Sequence, residues 1–231
     1  MTTDDAPLHD QVVGTEEKLG LTFQNKAFAI EALTHASMHG EGNYERLEFL
    51  GDRVLGLAIA DLLYAHFPNE PEGGLAKRHA ALVQGTTLAD IAREIELGDQ
   101  LILSDAERQS GGALNDNILA DCVESLLGAI YLDQGFPPCR EVIKHLWGNR
   151  LTTLKKPPQD PKTELQEWVQ SRGLPLPVYE IAGRSGPDHA PLFTIELTVE
   201  GLSAVRATGP SRRQAEKAAA QIMIQQIDSQ K

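Results

Sequence analysis

The first two thirds of the chain have hydrophobic residues at helical spacing. From Gly14 to Leu154 the apolar positions recur every three or four residues, as in LADIAREIELGDQLIL and CREVIKHLWGNRL. Short stretches of Gly, Pro and polar residues, such as FPNEPEGG and SDAERQSGGALNDN, interrupt this pattern. Asn117 is the expected N-cap of the helix that follows the second stretch. We therefore expect an all-helical domain at residues 1–154.

In the last third of the chain the spacing of hydrophobic residues changes, which predicts a second, smaller domain. KKPPQDPK combines charge with proline, as semi-rigid linkers do, and we place the linker at residues 155–160. Asp160 and Pro161 are expected to start a helix that ends at Gly173. Alternation in VYEIAG, LFTIELTVEG and SAVRATG predicts three strands, and SRRQAEKAAAQIMIQQI predicts a closing helix. Residues 161–231 are thus expected to form a small α+β domain (α-β-β-β-α) in a mainly α chain.

Two of the predicted helices contain rows of acidic side chains. In ERLEFLGDRVL, Glu48 and Asp52 fall within about 60° of Glu45 on a helix that turns about 100° per residue. The other side of this helix is expected to hold the apolar residues Leu47, Leu50, Val54 and Leu57. In ILADCVESLLG, Asp121 and Glu124 share one face. Acids on a helix are ordinarily solvated, but Glu48 is followed four positions later by an acid rather than a cation, which is repulsive without a counter-ion. Facing carboxylates in a partly buried site need a divalent ion, and an all-oxygen site suits Mg²⁺ or Mn²⁺ rather than Zn²⁺.

The charge of the chain is unevenly divided. The formal net charge is −12, an unfavourable balance for a partner that carries phosphates. Residues 1–156 hold 13 Lys and Arg against 24 Asp and Glu, whereas residues 157–231 hold 8 against 9. The excess acid therefore belongs to the helical domain, where divalent ions can neutralise it and bridge to a phosphodiester. The nearly neutral second domain can concentrate its cations on one face.

The two acidic motifs resemble the defining motifs of bacterial ribonuclease III. ERLEFLGDRVL and ILADCVESLLGAIYLD match in order and separation, and the likeness extends from about Leu19 to the C-terminus. The resemblance implies Mg²⁺ as the cofactor, with Mn²⁺ able to substitute. It also implies a metal-binding and catalytic set made of Glu48, Asp52, Asp121 and Glu124.

Two further acids, Glu45 and Glu72, match positions of the family's catalytic valley. Their simpler interpretations are a helix N-terminal acid at Glu45 and a loop acid at Glu72. The resemblance implies an endoribonuclease that hydrolyses double-stranded RNA to 5′-phosphate and 3′-hydroxyl ends with short 3′ overhangs. It further implies a homodimer, and roles in the processing of ribosomal RNA precursors and structured transcripts.

The second domain resembles the double-stranded RNA-binding domain, which recognises A-form shape and 2′-hydroxyls more than sequence. Its first helix matches residues that meet a minor groove at Thr163, Gln166, Glu167 and Gln170. His189 matches a groove-reaching loop position, although surface solvation is its simpler interpretation. The phosphate-binding helix start is matched by Ser211, Arg212 and Arg213. The chain departs from the family's basic pattern at Glu216, where many members have Lys, which leaves the strength of RNA binding open.

Two other functional classes compete with a nuclease. A non-catalytic RNA-binding or chaperone protein would keep the fold, but it has little reason to keep six matching acids. A carboxylate-bridged di-iron helical protein takes ligands from Glu-x-x-His, a tetrapeptide that does not occur in this chain. His35 and His39 are therefore expected to be structural.

Composition limits the cellular setting. Cys122 and Cys139 are too few for a disulfide framework, and Cys122 is expected to be a core thiol rather than a ligand. MTTDDAPLHDQVVG lacks the basic start and apolar run of a signal peptide. Asp61 interrupts VLGLAIADLLYAHF before it reaches membrane-spanning length. We expect a soluble cytoplasmic protein that has no membrane partner.

Overall fold

The computed structural model describes residues 5–38, 42–153, 160–187 and 190–229. The chain divides into two compact units, Met1–Pro158 and Gln159–Lys231. Three earlier expectations fall outside the described residues: most of the linker, His39 and His189. The finer boundaries of the domains and of the linker stay a prediction.

The first unit is built from helices, as its sequence period predicts. Strand pairing in its described part is confined to one isolated bridge between Thr34 and Ile102. Two short 3-10 turns lie at Leu97–Gln100 and Gly112–Leu114. The helices are α1 (Asp5–Leu19), α2 (Lys26–Leu33), α3 (Glu45–His66), α4 (Glu72–Leu82), α5 (Gly85–Glu94), α6 (Asp105–Gln109), α7 (Asp116–Gln134), α8 (Phe136–Trp147) and α9 (Arg150–Thr153).

Helices α3 and α7 cross at backbone contact, and two glycines make this possible. A Cβ atom on Gly51 of α3 would lie 1.7 Å from the carbonyl oxygen of Glu124. A Cβ on Gly128 of α7 would lie 2.3 Å from the carbonyl oxygen of Leu47. Both distances are far below van der Waals contact, so only glycine permits this approach. The crossing brings the two acidic motifs side by side.

The start of α7 differs from the sequence-based expectation. Asn115, not Asn117, is the N-cap, and its Oδ1 accepts hydrogen bonds from Asn117 N at 2.9 Å and Ile118 N at 3.5 Å. Asn117 therefore lies inside the first turn, where its backbone N–H needs the cap that Asn115 supplies. Further along α7, the Ser125 hydroxyl donates to the Ala32 carbonyl at 2.7 Å and fixes α7 against α2.

Both cysteines are free and buried, and this confirms the expectation of a core thiol at Cys122. Burial raises the pKa of Cys122 and that of Cys139 to about 12, so both remain neutral thiols at neutral pH. Among the described residues, no helix combines the length and apolar character required to cross a membrane.

One face of α3 leaves large apolar side chains in solvent. Leu57, which the helical period placed with the inner residues Leu47 and Val54, is 60% exposed. Phe49 and Tyr64 are 66% and 76% exposed. These three side chains lie within an arc of about 80° around the helix axis. They form an apolar stripe of the kind that is covered in assemblies.

The second unit has the predicted order of one helix, three strands and one helix. It consists of α10 (Pro161–Gln170), β1 (Val178–Ser185), β2 (Leu192–Thr198), β3 (Val205–Gly209) and α11 (Arg212–Asp228). The strands form an antiparallel sheet in the order β1-β2-β3, and Ile195 of β2 pairs with both Ile181 and Ala207. Both helices pack on this sheet through a separate core that includes Leu165, Ile195 and Met223. As predicted, Asp160 caps α10, and its side chain accepts from Lys162 N at 3.0 Å.

Candidate metal centre and RNA-binding surface

Three carboxylates from the crossing helices converge in the first unit. Among the described residues, one ligand atom each from Glu48, Asp121 and Glu124 lies within 4.8 Å of the other two. Glu48 is one turn before Gly51 on α3, and Asp121 and Glu124 are one turn apart on α7. The glycine-mediated approach of the helices therefore brings acids from two distant sequence motifs to one half-buried position.

Burial shifts all three acids toward their protonated forms, and repulsion between negative charges adds to this shift at Glu48 and Glu124. The pKa of Glu124 rises to about 7, because the group is buried and because Asp121 and Glu48 are nearby negative charges. The pKa of Glu48 is raised by burial and by the charges of Asp121 and Glu45. Burial also raises the pKa of Asp121, against the opposing effects of His35 and of a hydrogen bond from Tyr44. Such a site gains stability from a cation that lets all three ionise.

The donor set fits a hard divalent ion. The converging ligand atoms are carboxylate oxygens, which suit Mg²⁺ or Mn²⁺, and no His or Cys ligand joins them among the described residues. The charge of Arg53 lowers the pKa of Glu124 but does not outweigh burial and the neighbouring acids. Three acids half-removed from water are the charge pattern that a divalent ion neutralises.

Tyr44 lies beside the carboxylates and was missed by sequence reasoning, whereas His35 was named and expected to be structural. Tyr44 directly precedes α3, is only 4% exposed, and donates a hydrogen bond to Asp121. Burial and the charges of Asp121 and Glu48 raise its pKa above the ordinary value, so the phenol remains a donor. The ring of His35 packs edge-on against Tyr44, with centroids 5.4 Å apart. Tyr44 was recognisable only as a neighbour of the first acidic motif, because its contact with Asp121 requires the folded backbone.

The remaining acids of the predicted set lie apart from this group. Asp52 forms an ion pair with the adjacent Arg53, whose guanidinium covers the ring of Phe49 at 5.1 Å. Glu45 is exposed at the start of α3 and accepts from Asn43 Nδ2 at 3.2 Å. Its charge nevertheless raises the pKa of Glu48.

Glu72 is the exposed first residue of α4. It lines a cleft with Tyr64 and His79 rather than the three-carboxylate group. His79 is held in that cleft by a hydrogen bond of 2.9 Å between its Nε2 and the Gly56 carbonyl.

The predicted RNA-contacting side chains of α10 share one exposed face. The opposite face packs Leu165 and Val169 into the core. Positions i, i+3, i+4 and i+7 follow one side of a helix. On α10 these positions are all exposed, and they are Thr163, Gln166, Glu167 and Gln170.

The start of α11 has the geometry of an anion-binding helix N-terminus. Ser211 is the N-cap, and its hydroxyl accepts from Gln214 N at 3.3 Å. Arg212 and Arg213 follow in the first turn and are exposed. The chain enters this turn from β3 at Gly209, where a Cβ would lie 2.6 Å from Ala215 N. Helix dipole, backbone N–H groups and two guanidiniums are therefore presented together.

Comparisons with known proteins match both units. Residues 25–151 match the family model described as Ribonuclease-III-like, and residues 161–227 match the double-stranded RNA binding motif. The protein named Ribonuclease 3 from Ehrlichia ruminantium is 48% identical over 210 residues, which cover 89% of this chain and 92% of the relative. The protein of the same name from Dinoroseobacter shibae is 46% identical over 215 residues, covering 92% and 94%.

A solved structure of a ribonuclease III nuclease domain is also similar to part of this chain. It shows the nuclease domain of ribonuclease III from Campylobacter jejuni, described for its structural flexibility in a region involved in dimer formation. It is 41% identical, has a TM-score of 0.56, and covers 58% of this chain and 93% of its own. The chain therefore belongs to the ribonuclease III family of double-stranded-RNA endoribonucleases, with a helical nuclease domain followed by a double-stranded RNA-binding domain.

Proposed function

We propose that this protein is a Mg²⁺-dependent endoribonuclease that cuts both strands of double-stranded RNA. The observation that carries the proposal is the convergence of Glu48, Asp121 and Glu124 within 4.8 Å in a domain that precedes an RNA-binding domain. A chain that only bound RNA would gain nothing from three repelling carboxylates. Their cost in stability is explained if they hold a metal ion.

Glu48, Asp121 and Glu124 would hold the ion directly. When bound, Mg²⁺ lowers the pKa of water and neutralises charge on a phosphodiester. Asp52 would join the set by leaving its pairing with Arg53, a rotation open to a side chain that is 42% exposed. Tyr44 orients Asp121 through its hydrogen bond. Glu45 and Glu72, which do not reach the carboxylate group, would act on RNA or on further cations.

Hydrolysis in this site needs no protein nucleophile. Water attacks phosphorus in line with the departing 3′-oxygen, which takes up a proton. The products are a 5′-phosphate and a 3′-hydroxyl. The acids hold and orient the reacting groups, and their ionised state depends on the bound cation.

The second domain supplies affinity for the duplex. Thr163, Gln166, Glu167 and Gln170 of α10 would meet a minor groove, and His189 a second one. The phosphates that lie between these two grooves would be bound by Ser211, Arg212 and Arg213. This division matches the charge distribution, because the domain with little net charge takes the phosphates and the acidic domain takes the metal ion.

We further propose that the protein acts as a homodimer, so that two sites cut opposite strands and leave short 3′ overhangs. The support is the exposed stripe of α3, in which Phe49 lies beside an apolar groove of about 690 Å³ that includes Phe28 and Leu132. We place its substrates among ribosomal RNA precursors and structured transcripts in the cytoplasm, where two free, buried cysteines suit a reducing compartment.

The proposal is tested with end-labelled duplex RNA, the corresponding single strand and duplex DNA of equal sequence. Of the three substrates, we expect only duplex RNA to be cut, and only after addition of Mg²⁺ or Mn²⁺. A phosphatase and a 3′-specific ligase should identify the new ends as 5′-phosphate and 3′-hydroxyl. Tight binding of duplex RNA without cleavage in either metal would support the non-catalytic alternative instead.

A further inference from the structure

A buried carboxylate joins the two RNA-facing helices of the second domain. Glu216 of α11 is only 8% exposed, although it stands beside the phosphate-binding residues Arg212 and Arg213. From sequence, a negative charge at this position is expected to oppose RNA binding, because it repels phosphates. In the structure this carboxylate is instead paired with two cations, Lys162 and Arg212.

Each oxygen of Glu216 accepts a hydrogen bond from a different helix. Oε2 accepts from Lys162 Nζ of α10 at 2.5 Å, and Oε1 accepts from Arg212 Nε of α11 at 2.8 Å. Lys162 directly precedes Thr163, the first residue of the α10 RNA-facing set, and Arg212 is the first residue of α11. The carboxylate thus connects the start of one RNA-contacting helix to the start of the other.

Neighbouring contacts reinforce this connection. Asp160, the cap of α10, pairs with Lys217 of α11 at 3.4 Å. The ammonium of Lys162 also lies 4.7 Å from the centre of the Tyr179 ring. Lys162 is therefore held by a carboxylate and an aromatic ring, which restricts a side chain that is otherwise flexible.

Glu216 is ionised at neutral pH despite its burial. Burial alone would raise its pKa, but the hydrogen bonds from Lys162 and Arg212 bring the pKa below its ordinary value. A buried charge satisfied from two sides is costly to leave unpaired, so it fixes the relative position of the groups that pair with it.

The bond to Glu216 also orients Arg212 without hiding it. It uses Nε, and the Arg212 side chain remains 60% exposed, so the guanidinium is accessible to a phosphate. An arginine already held in place loses less side-chain entropy when it binds a phosphate.

We propose that Glu216 is a positioning residue for duplex RNA: its carboxylate fixes the starts of α10 and α11 relative to each other and orients Arg212 toward phosphate. The proposal rests on the proposed binding of duplex RNA by this domain. It predicts that removal of a negative charge weakens binding, whereas phosphate repulsion alone predicts that it strengthens binding.

The test is Glu216→Gln in the full chain, with affinity for a perfect RNA duplex measured in Ca²⁺ by fluorescence anisotropy over a range of salt. The matched control is Glu180→Gln on β1, which removes the same charge from an exposed site on the same domain. We expect Kd to rise roughly tenfold for Glu216→Gln, equal to about 1.4 kcal/mol. Glu180→Gln should stay within about twofold, because exposed charges contribute little.

Two further readouts separate positioning from loss of folding. If Arg212 loses its phosphate contact, the slope of log K against log salt falls by about one. A domain that is merely less stable keeps the wild-type slope, and a melting curve reports it directly. Cleavage in Mg²⁺ should show a raised KM with kcat nearly unchanged, since the carboxylate group belongs to the other domain.

Glu216→Asp keeps the test decisive if the Gln variant does not fold. Aspartate has the same charge but is too short to bond both cations. A positioning role therefore predicts weaker RNA binding by this variant, whereas an effect of charge alone predicts unchanged binding. Wild-type or tighter binding by a folded Glu216 variant would overturn the positioning role and leave duplex binding intact. Failure of the wild-type protein and of Glu180→Gln to bind duplex RNA would instead overturn the proposed function.

Discussion

Gly51 and Glu124 are in direct backbone contact across the crossing of α3 and α7: a Cβ on Gly51 would lie 1.7 Å from the Glu124 carbonyl oxygen. Glu48 precedes this contact by one turn of α3, and the carbonyl in contact belongs to Glu124 itself. The separation of Glu48 and Glu124 is therefore set by a glycine that has no chemical role of its own.

Gly51→Ala should separate the helices and damage both stability and cleavage. A methyl group cannot be accommodated against backbone atoms, so we expect a loss of about 3 kcal/mol or more in the free energy of unfolding. The control is Gly73→Ala near the start of α4, where a Cβ would meet nothing within 4 Å. That change should be neutral or slightly stabilising. Urea unfolding and Mg²⁺-dependent cleavage of both variants test the relationship; a Gly51→Ala protein as stable and active as wild type would contradict it.

The sequence predicted the carboxylates better than it predicted their surroundings. Glu48, Asp121 and Glu124 follow from helical period and motif, because positions on a helix face are fixed by the backbone. The pairing of Asp52 with Arg53 depends on rotamers, which the period does not determine. The Tyr44 contact with Asp121 joins residues far apart in sequence and exists only in the folded chain.

Other errors concern a helix cap, an exposed apolar residue and a contact between helices. Asn115 and Asn117 both flank the start of α7, and only backbone conformation decides which one becomes the cap. Leu57 fits an inward-facing pattern but lies in solvent, since the period of a helix does not say how much of its apolar side the same domain covers. The bridging role of Glu216 was also hidden, because its partner Lys162 lies on another helix.

Tyr44→Phe should weaken metal binding without unfolding the protein. The change removes the hydrogen bond to Asp121 and keeps the buried ring against His35. Loss of a residue that orients a metal ligand typically costs about 10-fold or more in metal affinity. We expect the Mg²⁺ concentration for half-maximal cleavage to rise by that factor, while isothermal titration with Mn²⁺ shows a matching loss. Tyr131→Phe, a partly exposed position on α7, is the control. Equal metal dependence of the two variants would argue against the role of Tyr44.

The metal-free protein should lose stability as pH rises through the range set by Glu124. The pKa of Glu124 is about 7 when folded and 4.5 as an ordinary glutamate, so the folded state holds the proton longer than the unfolded state. Stability therefore decreases from about pH 4.5 to about pH 7. Allowing for the partial exposure of the group, this contribution is on the order of 1 kcal/mol.

Glu124→Gln should remove that part of the pH dependence and raise the melting temperature of the metal-free protein near pH 8. Mg²⁺ should stabilise the wild type more than the variant. Melting temperatures at several pH values, with and without Mg²⁺, provide the comparison. The prediction would be wrong if the melting temperature of the metal-free Gln variant depended more strongly on pH than that of the wild type.

Removal of residues 157–231 should separate binding from chemistry. The nuclease unit keeps its own core and its carboxylate group, but it loses Arg212 and Arg213. We expect affinity for duplex RNA to fall by about tenfold or more and cleavage to require low salt. With Mn²⁺ in low salt the truncated protein should still cut. Complete inactivity of a folded, dimeric truncation would show that the domains are not independent.

Glu124 is proposed to act in chemistry rather than in RNA binding, and cleavage by Glu124→Gln distinguishes these two roles. The substitution keeps the volume of the side chain and removes its charge. Duplex cleavage in Mg²⁺ should fall by about 100-fold or more. Binding in Ca²⁺ should stay within about twofold of wild type, because the proposed RNA contacts of Arg212 and Arg213 lie in the second domain. Glu17→Gln, at an exposed acid on α1, should change neither quantity. A Glu124→Gln protein that cuts duplex RNA at the wild-type rate would contradict the proposed metal centre.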